Sequence, residues 1–324
     1  GEVDPIRVAE GRYLSDELTI HYGLVPRLNR GIFAVNELPD LAERIQVGLL
    51  NVLEERDVQI RGHRVRLPLD IVLVATANPE DYTNRGRIIT PLKDRFGAQI
   101  RTHYPPDAAT ELAIARAEAA IPTDGGDTPR VEVPGFMAEV VAELSQLARQ
   151  SPHLNQRSGV SVRLTIANYE TLVANAVRRA LRAGEPVAVP RVSDLEALVS
   201  STQGKVEIET LEEGREEVLL AQLVAAAVLV VFRRHVVLED PKAVVAAFAE
   251  DTVVHAGDDL PSGAYEETLA RLPVLRAPVE VLAAGSDEPA VLASALEFLL
   301  EGLHLTKRLN KEAAGARALY RGRG

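Results

Sequence analysis

Two short apolar runs, each closed by a polar cluster, constrain this chain most. The first is Gly31-Ile32-Phe33-Ala34-Val35, closing on Asn36-Glu37. The second is Asp70-Ile71-Val72-Leu73-Val74-Ala75, closing on Thr76-Ala77-Asn78-Pro79. Runs this continuous read as parallel strands covered by helices on both faces. Open parallel sheets bind ligands beyond the carboxyl ends of their strands. Asn36, Glu37 and Asn78 are therefore expected together on one functional edge. The sequence contains no Gly-x-x-x-x-Gly-Lys-Ser/Thr phosphate loop.

Around these runs the chain divides into three parts, 1–104, 105–203 and 204–324. The first reads as α/β. Residues 40–55 place Leu41, Ile45, Leu49, Val52 and Leu53 on one helical face. Residues 57–69 switch to period two about Arg61-Gly62-His63, which predicts a β-hairpin. A short helix near 91–95 and a third strand at about 98–103 complete this part. The second part reads as helical. Asp107 caps a helix through about 120, a Gly/Pro/Asp-rich break precedes another at 135–150, and a long helix over 163–183 stops at Gly184. Ser193 and Asp194 are cap candidates for a further helix at 192–199. The third part is read as mainly helical, with a last helix from 289 to about 319 and no recognisable chemistry.

A length of 324 residues allows two or three domains. The net charge of −11 argues against nucleic-acid binding, which needs a basic footprint. With no cysteine, disulfides and thiolate metal sites are excluded, which fits a cytoplasmic protein. The polar, acidic start has no signal-peptide pattern, and the apolar stretch 218–232 is too short for membrane insertion. Seven histidines are dispersed without zinc-ligand spacing.

Each candidate has two readings. Glu37, just past a buried strand, could polarise water for attack on a γ-phosphate, or could be an acid favouring the dipole of the next helix. Asn36 offers an oxygen without charge to a metal shell, or finishes a turn. The amide of Asn78 could bond both a phosphate oxygen and the attacking water, or form a turn before Pro79. Arg95 could stabilise phosphate charge across a subunit boundary, or pair with Asp94 at the surface. Arg163 could reach back to a nucleotide, with Arg157 as competitor, or be a solvated helix-start residue.

Taken in order, these segments resemble AAA+ ATPases. Residues 31–41 resemble a Walker B strand, and hairpin 57–69 looks like the insertion before sensor 1 that marks one clade. Thr76-Ala77-Asn78-Pro79 resembles sensor 1, Leu92-Lys93-Asp94-Arg95-Phe96 the arginine-finger segment, and Ser161-Val162-Arg163 sensor 2. Residues 1–30, with Gly11-Arg12-Tyr13-Leu14, look like the helix-2 insert of the same clade. Over about residues 1–200 the pattern is similar to the MoxR and magnesium-chelatase motor-subunit branch.

That resemblance implies a partial α/β AAA+ core with a parallel sheet and a β-hairpin insertion, then an all-α lid domain and a mainly α C-terminal region. It implies ATP and Mg2+ as cofactors, with Asn36 and Glu37 at the metal. Asn36, Glu37, Asn78 and Arg163 would contact nucleotide; Glu37, Asn78 and Arg95 would be catalytic. Such proteins form hexameric homo-oligomeric rings and remodel partners, often ones bearing von Willebrand factor A domains. Two departures stand out. Asn36 replaces the usual aspartate, and family members carry the phosphate loop upstream of the helix-2 insert. The chain is thus expected to be the C-terminal part of a MoxR-like protein, inactive as given. A non-catalytic AAA+-like scaffold or adaptor and a magnesium-chelatase motor subunit remain as alternatives.

Overall fold

In the computed structural model of the chain, the described residues are 2–3, 6, 9–10, 20–55, 57–60, 63–66, 69–78, 87–121, 128–155, 159–208, 215–248, 252–314 and 317–323. They form two units, Gly1–Thr102 and His103–Gly324, each described by itself. The Gly11–Leu14 motif, the turn 61–62 and Arg157 lie outside the described residues.

In the first unit, β1 (Ile32–Val35) leads through a 3-10 turn into α1 (Glu43–Glu54). The expected hairpin follows as β2 (Asp57–Ile60) and β3 (His63–Arg66), with Val58 opposite Val65. β4 (Val72–Ala75) and α2 (Thr90–Arg95) follow, while upstream of β1 Glu2–Val3 pairs antiparallel with Ile20–His21 and Leu24–Arg27 forms a short helix. β1 and β4 pair in parallel, as their composition predicts, from Ile32–Val72 to Val35–Ala75.

Among the described residues, helices cover only one face of this pair. Phe33, Val35, Leu73 and Ala75 pack against Leu38, Leu49 of α1 and Leu92 of α2, so both helices lie on the same face. On the other face Ile32, Val72 and Val74 are 66%, 60% and 49% exposed. The strand expected at 98–103 is also not formed, and Ile100 is 90% exposed. A strand is defined by its ladder, and among the described residues neither β1 nor β4 has a second neighbour.

The buried face of α1 differs from its apolar pattern as well. Ile45 points outward and Gln46 is buried. The Gln46 side chain donates to the carbonyls of Leu41 and Arg87 and accepts the Ile89 N–H, all at 2.9 Å. A glutamine amide is thus fully used to anchor the segment that enters α2, which is why it tolerates burial.

The second unit begins with α3 (Ala108–Glu118), capped by Asp107, whose carboxylate accepts the Thr110 N–H at 2.7 Å. α4 (Gly135–Gln150) and α5 (Val162–Ala183) follow, the latter stopped by Gly184 at φ 67° as the sequence predicts. Glu111, fully buried, ties the three together: both its oxygens receive Arg149 at 2.6 Å and one accepts from Thr165.

The later elements are α6 (Arg215–His235), β5 (Val253–Gly257), α7 (Ser262–Arg271), α8 (Pro289–Leu305), β6 (Leu309–Ala314) and β7 (Arg317–Gly322). The last helix therefore ends well before 319. Lys307 adopts φ 60°, which breaks the helix, and the alanine-rich segment beyond it pairs as an antiparallel sheet in the order β6-β7-β5. Local helix propensity loses here to sheet pairing.

Residues on either side of position 204 share one core. The Phe136 and Phe298 rings are 4.6 Å apart, and Phe232 packs on Phe298 at 6.1 Å. Beside this core runs a buried polar strip. Arg179 pairs with Asp194 at 2.9 Å, and Arg191 donates to the Leu260 carbonyl and Ser262 Oγ. Asp194 reaches back to the Arg191 N–H, whereas Ser193 is not a cap: its N–H donates to Glu297 at 2.8 Å.

Tyr265 donates its hydroxyl to Glu297. Burial holds the Glu297 carboxyl above its ordinary value of 4.5, against the pull of Arg191. The folded chain thus keeps a proton that the unfolded chain releases, and stability must fall as pH rises above 4.5. Glu297→Gln is expected to flatten this limb in denaturation measured from pH 5 upward; an unchanged slope would assign the limb to other groups.

Candidate functional site

The parallel register decides which residues meet. Val35 stands opposite Ala75, so the chain leaves both strands at the same end. Thr76 then bridges the two exits. Its Oγ1 donates to Asn36 Oδ1 at 2.6 Å and accepts the Glu37 N–H at 3.0 Å. Its carbonyl accepts the Leu38 N–H, and its own N–H donates to the Val35 carbonyl, both at 2.9 Å.

Held this way, Glu37 adopts φ 52° and ψ 58°. The left-handed region costs a non-glycine residue roughly 1–2 kcal/mol. Residues kept there against strain cluster at functional sites. The Glu37 side chain makes no capping hydrogen bond to the 3-10 turn it precedes, so the helix-acid reading finds no contact to support it. Its Oε2 is buried and has no hydrogen-bond partner among the described residues. A shielded carboxylate oxygen without a donor is prepared to receive one, such as a water proton.

Asn36 is exposed, and its Oδ1 is committed to Thr76. Asn78, also exposed, makes no hydrogen bond among the described residues, which leaves its amide free at the same edge. No group of three or more histidines, aspartates or glutamates could hold a metal among the described residues. Magnesium takes one or two protein oxygens and completes its shell with water and substrate phosphate. The unpartnered Glu37 oxygen fits that limited demand, and Asn36 Oδ1 keeps one lone pair beside its bond to Thr76.

Arg95 is not a free cation, nor is Asp94 its main partner. Its Nε and Nη2 reach both oxygens of Glu54 at 2.9 and 3.1 Å, and Nη1 donates to the Pro91 carbonyl; Asp94 is 3.9 Å away. The hydrogen bonds from Arg95, and then its charge, hold the Glu54 carboxyl below the usual range. Arg163 belongs to the second unit, where it is exposed on the first turn of α5 with no side-chain partner among the described residues.

Three contributors escape the sequence reading. Thr76 had a visible signal, its place one residue past an apolar strand and two before Asn78. Gln46 and Glu54 had none, because their partners lie about forty residues away.

Residues 10–95 match the Sigma-54 interaction domain. This segment, which contains β1, the hairpin, β4 and α2, is therefore AAA+ at the level of the superfamily, and such domains bind nucleotide with Mg2+. No curated protein matches the chain.

Two substitutions separate strain from support. Glu37→Gly should raise the stability of the first unit by about 1 kcal/mol, since glycine takes positive φ without penalty. Thr76→Val keeps the shape but unpairs the Glu37 N–H, and should lower stability by about 0.5–1.5 kcal/mol. Urea denaturation measures both. A destabilising Glu37→Gly would mean that the Glu37 side chain supports the fold.

Proposed function

We propose that this chain belongs to a MoxR-like AAA+ ATPase that uses ATP hydrolysis to remodel partner proteins. The observation that carries the reading is Glu37, held in a strained conformation with a shielded, unpartnered oxygen at the shared end of two parallel strands. In this reading Glu37 accepts a hydrogen bond from water and aligns it for in-line attack on the γ-phosphate. Asn78 holds the same water and a phosphate oxygen through its free amide. When bound, magnesium supplies positive charge that neutralises the phosphates, with Asn36 and Glu37 as its protein-side oxygens. Arg163 is the sensor 2 residue in this reading.

Arg95 acts on the nucleotide of a neighbouring subunit. Its pairing with Glu54 does not oppose this, because an exposed ion pair is weak and a multiply charged phosphate competes well for a guanidinium. Action in trans requires a head-to-tail interface that closes, hence a ring, for which the resemblance suggests six subunits. Partners with von Willebrand factor A domains and a cytoplasmic location belong to the same reading. One observation favours a second reading, a non-catalytic scaffold: Asn36 brings no charge to the metal where these ATPases usually carry an aspartate.

Residues 1–324 contain no phosphate loop to cradle the β- and γ-phosphates. Calorimetry on this chain should show weak ATP binding and no turnover; tight magnesium-dependent binding would contradict that. In a form that carries an upstream phosphate loop, Glu37→Gln should bind ATP yet stall, and Asn36→Asp should raise turnover. Normal turnover in Glu37→Gln would favour the scaffold. In the same form, Arg95→Ala should cut turnover on the order of a thousandfold. Mixing Arg95→Ala with Glu37→Gln subunits should restore partial activity, because some interfaces regain both groups. Assembled mixtures that stay inactive at every ratio would remove the action in trans.

A further inference from the structure

We propose that the second unit binds a compact, uncharged apolar molecule in a cavity between α6, α8 and the β5–β7 sheet. The cavity measures about 600 Å3. Folded interiors leave few voids larger than a water molecule, whereas small-molecule pockets span about 300–1,000 Å3.

Small residues on two facing surfaces leave the space open. Ala313 stands opposite Ala318 and Ala318 opposite Ala256, so these three share one face of the sheet. On α6, Ala221 and Ala225 lie one turn apart and line the other wall. Leu195, Val224 and Val228 add apolar surface between them. A ligand that covers these side chains takes apolar area out of water, which favours binding.

Charge decides what else the ligand can be. The described lining residues include the bases Arg178, Lys311 and Arg317 and the acids Glu196, Asp258, Glu297 and Glu301. Burial leaves Glu297 its proton, so three cations face three anions and the lining favours neither sign of charge.

These groups are also engaged already. Lys311 Nζ reaches Glu301 Oε2 at 2.7 Å, and Arg317 Nε reaches both oxygens of Asp259. Asp258 lies 3.8 Å from Arg182, Arg178 donates to Asn175 Oδ1, and Glu196 is exposed to water. Deeper in, both oxygens of Glu297 meet Ser193 and Tyr265, and the Tyr320 hydroxyl donates to Glu301. Among the described residues, no buried side-chain atom without a partner belongs to this lining. An entering ion would exchange its hydration shell for groups that are already paired, whereas a neutral hydrocarbon body gives up nothing polar.

Calorimetry on the full chain with adamantan-1-ol, adamantan-1-amine and adamantane-1-carboxylate tests the site without any nucleotide, since the three share one body and differ in charge. The alcohol should bind with 1:1 stoichiometry, at least about tenfold tighter than either ion. Ala318→Leu and Ala225→Leu fill the space from opposite walls, and each should weaken binding of the alcohol at least about tenfold while the melting temperature is kept. If circular dichroism shows that one variant unfolds, the other decides; if both unfold, the three probes on the parent chain decide. The proposal is overturned if the parent chain does not bind the alcohol, if either ion binds as tightly, or if a folded variant keeps the parent's affinity.

Discussion

The parallel pairing of β1 with β4 is the constraint on which the chemistry of the first unit hangs. Only four residue pairs define it, yet they fix which polar residues leave the sheet together. A slip of one residue would turn Phe33, Val35, Leu73 and Ala75 away from the core they share with α1 and α2. The same slip would separate Thr76 from Asn36 and Glu37. One buried face and one hydroxyl group thus lock a register that the short strands could not hold through backbone bonds alone.

Much of this was legible in the sequence, and the particulars show why. β1 and β4, followed by Asn36 and by Thr76 to Asn78, could be read because continuous apolar runs and polar endings are local patterns. The hairpin β2–β3, α4 and the stop of α5 at Gly184 were legible for the same reason: period, cap and glycine each act within a few residues. The face of α1 was misread at one position, since Gln46 behaves as a core residue only through three bonds to backbone, two of them to residues about forty positions away. The third strand failed for a different reason. Segment 98–103 has strand composition, but pairing is a property of two segments and no described strand adjoins it.

The C-terminal part was the least legible. Its alanine-rich end suggested helix, and nothing nearby announces that β5, more than sixty residues earlier at most of its pairs, will pair with β7. Its buried acids follow the same rule. Glu297 and Glu301 break an apolar helix at i and i+4, a signal open to anyone reading the sequence, yet their partners Ser193, Tyr265, Lys311 and Tyr320 are scattered over more than a hundred residues. Sequence spacing shows that these carboxyls need partners; only the fold says which.

The single covered face of the β1–β4 pair has a consequence for motion. A two-stranded ladder with little apolar surface beneath it opens locally at low free-energy cost, whereas amides of α8, buried along its whole length, exchange only through far larger openings. Amide hydrogens around Thr76 and Leu38 should therefore exchange with solvent much sooner than those of α8. The edge that carries Glu37 is then also the part of the chain that breathes, and any ligand that bridges the two strand ends would slow that exchange by tying the exits to each other.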